Sequence, residues 1–343
     1  MKQTILKLAR LSGLFALSRR LTRGQLRILC YHGIWIGDAP HFGDCLFMRP
    51  DTFAGRLDLL ARAGYPVLGL ADALEQLDKG TLPDAAVVIT IDDAWYGITR
   101  HMLPALTERR LPATLYVTTY YSLAQRPVLN VLINFMIARA RSLPSLDTLL
   151  PGPDPQPDTA QRADYASALA ARVDALATLD VRWDAVRDIA SQIGVDLAPI
   201  ESGRWFHLMN EDELRAAQAA GIDIQLHTHT HRMHDFDGER VRNEVVHNRR
   251  ELARLLAVPP ATLSHFCYPS GVHAPTVYPV LKAAGVRSAT TTDFGLNPPG
   301  SNPYALKRIL DCQSMSELEL EARLSGFWSL LMGLRDRIRP RTT

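Results

Sequence analysis

Short apolar runs alternate with amphipathic segments along most of this chain. The apolar runs predict buried strands, at residues 26–31, 65–67, 85–91, 113–117, 222–226, 264–268 and 288–292. Apolar residues at helical spacing predict helices, at residues 49–63, 70–79, 103–110, 211–220, 240–257 and 276–284. Strands that alternate with helices through short Gly- and Pro-containing turns indicate βα units around parallel strands.

The alternation stops between about residues 121 and 206. The stretch 128–137 is almost entirely apolar, a Pro-, Gly- and Asp-rich linker follows at 151–158, and charged sequence with helical spacing runs from 161 to 193. This pattern predicts a mostly helical insertion over 121–204. Two interpretations of the apolar stretch stay open: it forms the core of the insertion, or it receives a lipid chain. A core is the commoner use of such a helix.

Polar side chains with metal or acid–base chemistry follow several of the predicted strands. They are His32, Asp92 with Asp93, His227 with His231, and the segment Pro269, Ser270 and Gly271. A (β/α) barrel gathers functional residues at the carboxyl ends of its strands. The pattern therefore favours a barrel over an open sheet.

Two of these clusters carry metal-ligating groups, namely Asp92 and Asp93, and His227, His229 and His231. On a strand the three histidines would share one face, whereas on a helix or tight turn His229 would point away from the other two. Either arrangement offers imidazoles to zinc, whose catalytic sites use three protein ligands and leave a position for water. Asp93 would add an oxygen ligand. Asp92, on the opposite side of an extended chain, is better placed to accept a proton from water.

An aspartate pair after a strand is also a common helix cap, so Asp92 and Asp93 alone would be weak evidence. The combination with the histidine cluster is much rarer. Together the two clusters predict a metal-dependent hydrolase.

Composition narrows the class of protein further. The chain has 343 residues, 47% hydrophobic and 22% charged, with a formal net charge of +2. So small a basic excess argues against a dedicated nucleic-acid-binding protein. The four cysteines form no CxxC pair, which predicts a reduced compartment rather than a disulfide framework, although one bridge is not excluded by sequence.

Both ends of the chain are basic and amphipathic. Residues 1–27 hold seven basic residues and no acid, with leucines and isoleucine at helical spacing, and they predict an amphipathic helix over 1–25. Residues 316–343 predict a second one, with apolar side chains at 327–334 followed by four arginines. Each helix either lies on an anionic membrane surface or packs on its own domain. A signal peptide is disfavoured, because the apolar stretch 11–17 is short and lacks a cleavage site, and we expect a cytoplasmic protein, peripheral on the inner membrane at most.

Three motifs in this order resemble those of the NodB-like polysaccharide deacetylases, carbohydrate esterase family four. Residues 90–94, Thr-Ile-Asp-Asp-Ala, resemble the family's Thr-Phe-Asp-Asp-Gly, and residues 227–231, His-Thr-His-Thr-His, resemble its His-Ser/Thr-x-x-His. Residues 266–271, Phe-Cys-Tyr-Pro-Ser-Gly, resemble a Tyr-Pro-x-Gly segment of one branch. The resemblance implies a distorted (β/α) barrel over 26–120 and 205–315 that removes acetyl groups from N-acetylated sugars with zinc or a similar divalent ion.

The resemblance also implies roles for individual residues. The metal ligands would be Asp93, His227 and His231, the general base would be Asp92, and the backbone N–H of Ser270 would help to hold the oxyanion. The candidates for the wall of the sugar site are Trp95, Tyr96, His229, Tyr268 and Pro269.

This sequence departs from the family pattern at two places. Ala94 stands at the motif glycine, a small change if φ at residue 94 is negative. The family's late Leu-His motif, which supplies the general acid, has no match among the eleven histidines. In the branch of the family with an early Tyr-His motif, the early histidine looks like the residue that supplies the general acid instead. Tyr31 and His32 match it, so His32 is the expected acid, with a histidine simply packed after the first strand as the alternative.

The sequence therefore predicts an N-deacetylase for an acetamido sugar of a bacterial envelope glycan or a lipid-linked sugar. The alternatives are the same fold and metal acting on a non-sugar amide, and a non-catalytic membrane-surface binding protein with a vestigial site. The sugar, the position deacetylated, the metal and the oligomeric state are not predicted.

Overall fold

A closed barrel of parallel strands forms the centre of the molecule. The computed structural model describes residues 2–152 and 162–338. The strands are β1 (Arg27–Tyr31), β2 (Gly33–Ile34), β3 (Phe47–Met48), β4 (Val87–Ile91), β5 (Thr114–Val117), β6 (Asp223–Leu226), β7 (His265–Cys267), β8 (Ser288–Phe294) and β9 (Leu306–Leu310). Among the described residues, the barrel has seven strands in the order β1-β4-β5-β6-β7-β8-β9, and β9 pairs back onto β1. The predicted (β/α) barrel is confirmed.

Burial on both faces explains the apolar strands. Every residue of β1, β4 and β5 is buried, as is usual for parallel strands covered by helices. β1 and β4 run in register from Arg27 opposite Val87 to Tyr31 opposite Ile91. Because these two strands end side by side, the residues that follow them, His32 and Asp92, begin at the same rim of the barrel.

One predicted strand is absent, and the short strands β2 and β3 and the barrel strand β9 were not predicted. Residues 65–67 make only an isolated bridge between Val67 and Val87. β9 was missed, although it closes the barrel, because its sequence Leu-Lys-Arg-Ile-Leu places two cations in the middle of a five-residue run. Arg308 on this strand is fully buried while Lys307 is exposed.

Sixteen α-helices occur within the described residues. They are α1 (Lys2–Leu11), α2 (Leu14–Leu21), α3 (Pro50–Arg62), α4 (Leu70–Lys79), α5 (Leu103–Glu108), α6 (Thr119–Ala124), α7 (Leu129–Arg139), α8 (Leu146–Leu149), α9 (Arg162–Asp174), α10 (Leu179–Gln192), α11 (Ala198–Ser202), α12 (Glu211–Ala219), α13 (Gly238–Leu256), α14 (Tyr278–Ala283), α15 (Glu317–Leu324) and α16 (Phe327–Ile338). In the part of the chain that the structure describes, none is long and apolar enough to cross a bilayer.

Local capping chemistry sets several of these boundaries. α12 begins with a capping box in which Asn210 and Glu213 exchange side-chain and backbone hydrogen bonds. α4 ends at Gly80 in a left-handed conformation. Each predicted terminal helix is instead a pair: Gly13, with φ of 77°, separates α1 from α2, and α15 precedes α16. Arg339 and Arg341 lie outside the described residues.

The chain divides into two compact units. One contains residues 1–35, 43–120 and 209–343, and the other contains 36–42 and 121–208. The second unit is helical, and the apolar stretch 128–137 supplies its core: Leu132, Ile133 and Met136 on α7 are fully buried, and α7 packs on α9 and α10. The core interpretation of this stretch therefore holds in the structure.

The structure contains one disulfide, the single bridge that the sequence pattern had left open. Cys45 and Cys312 form a disulfide with Cα atoms 4.2 Å apart, although 267 positions separate them in sequence. Barrel closure by β9 brings these distant segments together, which spacing along the chain does not reveal. Cys30 and Cys267 are free and buried.

Candidate active site

Asp93, His227 and His231 converge at the rim of the barrel where β4 and β6 end. The Oδ1 atom of Asp93 lies 3.2 Å from Nε2 of His227 and 3.3 Å from Nε2 of His231. One ligand atom from each of the three residues lies within 4.8 Å of the others. His227 is buried, whereas the side chain of His231 is 38% exposed. The cluster is therefore reachable from solvent on the His231 side.

The donor set fits a divalent metal. Tetrahedral zinc with bonds of 2.0–2.1 Å has ligand atoms about 3.3 Å apart, close to the two distances around Asp93. Nδ1 of His227 lies 2.8 Å from the carbonyl oxygen of Cys267. That carbonyl can only accept, so Nδ1 of His227 carries a proton, and with an ion bound Nε2 would offer its lone pair as the ligand.

Asp93 carries the negative charge that such a site needs. Burial raises the pKa of its carboxyl, but hydrogen bonds with His227 and His231 outweigh burial and lower the pKa well below 3.8. Trp95 Nε1–H donates to Oδ2 of Asp93 at 2.9 Å. Trp95, which the resemblance placed among wall candidates, therefore orients the aspartate and is itself nearly fully buried.

The backbone after β4 does not continue as an extended chain. Asp93 and Ala94 have φ of 71° and 69°, in the left-handed region. This turn, rather than strand alternation, separates the side chains of Asp92 and Asp93. Alanine in place of the motif glycine would be a small change only if φ at residue 94 were negative. Because φ at Ala94 is positive, the change is larger than expected. A β-carbon in this conformation costs about 1–2 kcal/mol.

Asp92 is held by a charge partner that the sequence did not reveal. Arg308 donates from Nη1 to Oδ1 at 2.8 Å and from Nη2 to Oδ2 at 2.7 Å, and both residues are buried. Burial raises the pKa of Asp92, but the charge and hydrogen bonds of Arg308 outweigh burial and lower the pKa from 3.8 to about 2. Asp92 is thus an oriented, ionised carboxylate at neutral pH.

Two buried thiols and His32 complete the surroundings of Asp92. Oδ2 of Asp92 lies 3.6 Å from Sγ of Cys30, 3.4 Å from Sγ of Cys267 and 3.9 Å from Nε2 of His32. Nδ1 of His32 is buried and has no hydrogen-bond partner among the described residues. The structure therefore brings His32 beside the predicted base, with a ring nitrogen left for a further partner.

Helix α13 holds the loop of residues 227–231, here called the histidine loop, through side-chain hydrogen bonds to its backbone. Asn248 accepts from the backbone N–H of His227 at 3.0 Å and donates to the carbonyl oxygen of Val117 at 3.0 Å. Glu244 accepts the backbone N–H groups of His229 and Thr230 at 2.8 and 2.7 Å. Neither residue was predicted, because a polar residue on a charged helix gives no sequence signal that its side chain turns inward.

The loop itself is neither strand nor helix. Thr228 and His231 have positive φ, and the rings of His227 and His231 lie 4.9 Å apart while His229 points away. This is the arrangement expected for a tight turn. His229 stacks on His247 at 3.8 Å, and its Nδ1 lies 2.8 Å from Oγ1 of Thr119.

The segment after β7 forms a second tight turn. Tyr268 and Pro269 are buried, and the hydroxyl of Tyr268 donates to the carbonyl oxygen of Tyr304 at 2.9 Å. Ser270 is exposed with φ of 55°. Gly271 is required by space, because a β-carbon there would lie 2.0 Å from Oγ1 of Thr292. Of the remaining wall candidates, Tyr96 is half-buried two residues beyond Ala94.

Comparisons with known proteins agree with this geometry. The family model described as polysaccharide deacetylase matches residues 185–289, which include the histidine loop and the turn after β7. No curated protein matches the sequence.

Solved structures share the fold at low identity. A Streptococcus pyogenes deacetylase, PplD, in complex with acetate has a TM-score of 0.58 at 16% identity and covers 88% of this chain and 99% of its own. IcaB from Ammonifex degensii has a TM-score of 0.54 at 17% identity, and the match covers 88% of this chain and 97% of IcaB. A de-N-acetylase from Aggregatibacter actinomycetemcomitans has a TM-score of 0.54 at 12% identity, and the match covers 87% of this chain and 99% of the de-N-acetylase.

The fold and the site together define a parallel-barrel protein with a carboxylate–imidazole centre at the carboxyl ends of its strands. The resemblance to the NodB-like polysaccharide deacetylases is confirmed by the family match and the shared fold. The solved structures show the fold, and the family match supports a hydrolase that acts on amide bonds of a polysaccharide.

Proposed function

We propose that this chain is a metal-dependent N-deacetylase for an acetamido sugar of a bacterial envelope or lipid-linked glycan. The observation that carries the proposal is the convergence of Asp93, His227 and His231, with ligand-atom distances of 3.2 and 3.3 Å around Asp93. These residues come from two segments far apart in sequence. All three have the chemistry of zinc ligands, so zinc is the expected ion.

The chain's own groups would divide the remaining work. A divalent ion held by these ligands would polarise the acetamide carbonyl and make water more acidic. Asp92 would accept the proton of the attacking water. Its pKa of about 2 makes it a weak base, but Arg308 keeps it ionised and fixes both oxygens, so it is oriented for that transfer.

Two further groups would act on the oxyanion and the leaving amine. The backbone N–H of Ser270 lies in the exposed turn after β7 and would donate to the developing oxyanion. His32, 3.9 Å from Asp92, would return a proton to the amine nitrogen. The products would be acetate and a free amino sugar.

The substrate class rests on the confirmed resemblance to polysaccharide deacetylases. A non-sugar amide remains the alternative substrate for the same centre. A vestigial binding protein is disfavoured, because Asp92, Asp93, His227 and His231 are all present and converge. The disulfide between Cys45 and Cys312 is typical of oxidising compartments, and it weighs against the cytoplasmic location expected from sequence.

Metal content of the purified protein tests the centre. We expect about one divalent ion per chain, lost in Asp93→Ala and in His231→Ala. The matched controls are Asp51→Ala and His101→Ala, which remove the same side-chain types at positions outside the cluster. A wild type that binds no zinc when zinc is supplied, or variants that keep it, would contradict the proposed centre.

Release of acetate tests the reaction. We expect acetate from soluble and lipid-linked acetamido sugars, and a loss of roughly 10²-fold or more in kcat for Asp92→Asn and for His32→Ala. Activity restricted to non-sugar amides would replace the sugar with the alternative substrate. A zinc-loaded protein that is inactive on every acetamide tested would favour the alternative of a non-catalytic binding protein with a vestigial site.

A further inference from the structure

A row of large aliphatic side chains lies exposed on the first two helices. Between 42% and 84% of each side chain's surface is exposed. The row, here called the leucine stripe, consists of Ile5, Leu8, Leu11, Leu14, Leu17 and Leu21. Single exposed aliphatic residues are common on proteins, but three at helical spacing on α1 and three on α2 give each helix an exposed apolar face, which marks an interaction surface.

The leucine stripe is not the face that attaches these helices to the barrel domain. That attachment uses Leu6, Ala9 and Phe15, which are buried in a cluster with Ala322 of α15. The ring of Phe15 lies 5.3 Å from that of Phe327 on α16. The helices are already packed on α15 and α16 through another face. The leucine stripe is therefore not needed for this packing and is held in a fixed position on the surface.

The basic residues of this segment fall into two groups. Three make contacts within the protein. Arg10 pairs with Glu321 at 3.2 Å, and Arg19 lies 4.1 Å over the ring of Tyr65. Arg27 is fully buried and donates to the carbonyl oxygen of Leu324. The others with described side chains are exposed, namely Lys7, Arg20 and Arg23. Helical periodicity places Lys7 and Arg20 beside the stripe.

We propose that the leucine stripe with Lys7, Arg20 and Arg23 is a docking surface for an anionic lipid bilayer. The aliphatic side chains would enter the boundary between headgroups and acyl chains, and the cations would lie at the level of the lipid phosphates. Residues 1–27 contain no acid, so every charge of the surface suits an anionic partner.

A second copy of this chain fits the same surface less well. A symmetric dimer through the stripe would bring the three cations of one copy close to those of the other, with no acid from the segment between them. A bilayer offers negative charge along the whole length of α1 and α2. The charge distribution therefore favours the bilayer.

Vesicle flotation of the full chain tests the proposal. We expect the wild type to float with vesicles of phosphatidylglycerol and phosphatidylethanolamine, and to remain behind with vesicles of phosphatidylcholine alone. The variant Leu8→Gln/Leu17→Gln should partition roughly tenfold more weakly, because two exposed aliphatic groups are lost from the surface that would enter the bilayer. Lys7→Gln/Arg20→Gln/Arg23→Gln should lose the preference for phosphatidylglycerol.

The control replaces equally exposed aliphatic residues elsewhere. Val181→Gln/Val246→Gln, at side chains 47% and 40% exposed, should float like the wild type. Retained acetate release from a soluble acetamido sugar shows that the leucine variant is folded, and separates failure of docking from failure of the catalytic proposal.

Two results would overturn the proposal. One is equal flotation of the wild type and the leucine variant. The other is a wild type that sediments as a dimer without vesicles while the leucine variant sediments as a monomer, since the stripe would then join two copies.

Discussion

Arg308 and Asp92 place two opposite charges inside the barrel. Removing such groups from water costs several kcal/mol for each ion, and attraction between them repays this cost only when the geometry is good. Here both oxygens of Asp92 accept a hydrogen bond from Arg308, which makes the pair a bidentate one. Its value to the protein lies in orientation, because the carboxylate of Asp92, next to the proposed metal ligand Asp93, is held in one position.

Removing the arginine alone should be far more harmful than removing both charges. Arg308→Met leaves an unpaired buried carboxylate, and we expect the free energy of unfolding to fall by about 3–5 kcal/mol. The double variant Asp92→Asn/Arg308→Met should recover most of this loss, because no unpaired charge remains. Urea unfolding of the single and double variants measures the difference.

An exposed ion pair provides the control. Arg109 and Asp58 pair at 3.0 Å at the surface, and Asp58→Asn should change the free energy of unfolding by less than about 1 kcal/mol. If the double variant were as unstable as Arg308→Met, the loss would come from packing around the arginine instead of from charge.

Among the elements, α13 is the one that shapes the proposed metal site without contributing a proposed ligand. Its buried Asn248 and Glu244 bind the backbone of the loop that carries His227 and His231. Without these bonds the loop would have several conformations available, since Thr228 and His231 hold positive φ angles that are costly for residues other than glycine. The helix therefore holds the two proposed histidine ligands in one arrangement.

Loss of one of these anchors should weaken metal binding. Asn248→Ala frees the N–H of His227, and we expect zinc affinity to fall by roughly 10–100-fold, as is typical when a partner of a metal ligand is removed. Competition with a chelator measures this affinity. Asn243→Ala, at an exposed position on the same helix, is the matched control and should leave zinc affinity unchanged. Equal affinities for the two variants would mean that the loop holds its shape without α13.

The sequence predicted those elements whose side chains follow a simple pattern. β4 and β6 are apolar runs that end in conspicuous polar groups, so their place in the site could be read directly. β9 could not, because Arg308 contradicts the apolar pattern of a buried strand. Its charge is balanced by Asp92, and it also donates to the hydroxyl of Thr90, both far away in sequence. The positive φ of Ala94 likewise depends on the turn that the whole barrel imposes. Long-range contacts decide both features.

At the scale of the whole molecule, the disulfide joins the start of the barrel domain to its end. Replacing both Cys45 and Cys312 with serine should lower the free energy of unfolding by about 2–5 kcal/mol, because the unfolded chain regains the freedom of a very long loop. Denaturant unfolding with and without a reducing agent measures the effect.

The reducing agent also supplies the control for that experiment. Reduction should destabilise the wild type and leave the serine variant unchanged, since Cys30 and Cys267 form no bond that could be broken. A wild type that is insensitive to reduction would show that the bridge contributes little to stability.

The same bond makes most of this protein a covalent ring. The ring runs from Cys45 to Cys312 and contains Asp92, Asp93, His227 and His231. A protease that cuts once anywhere within it releases no fragment, so the aspartates and the histidines stay parts of one molecule. Reduction after the cut would be needed before the two halves of the proposed metal centre could separate.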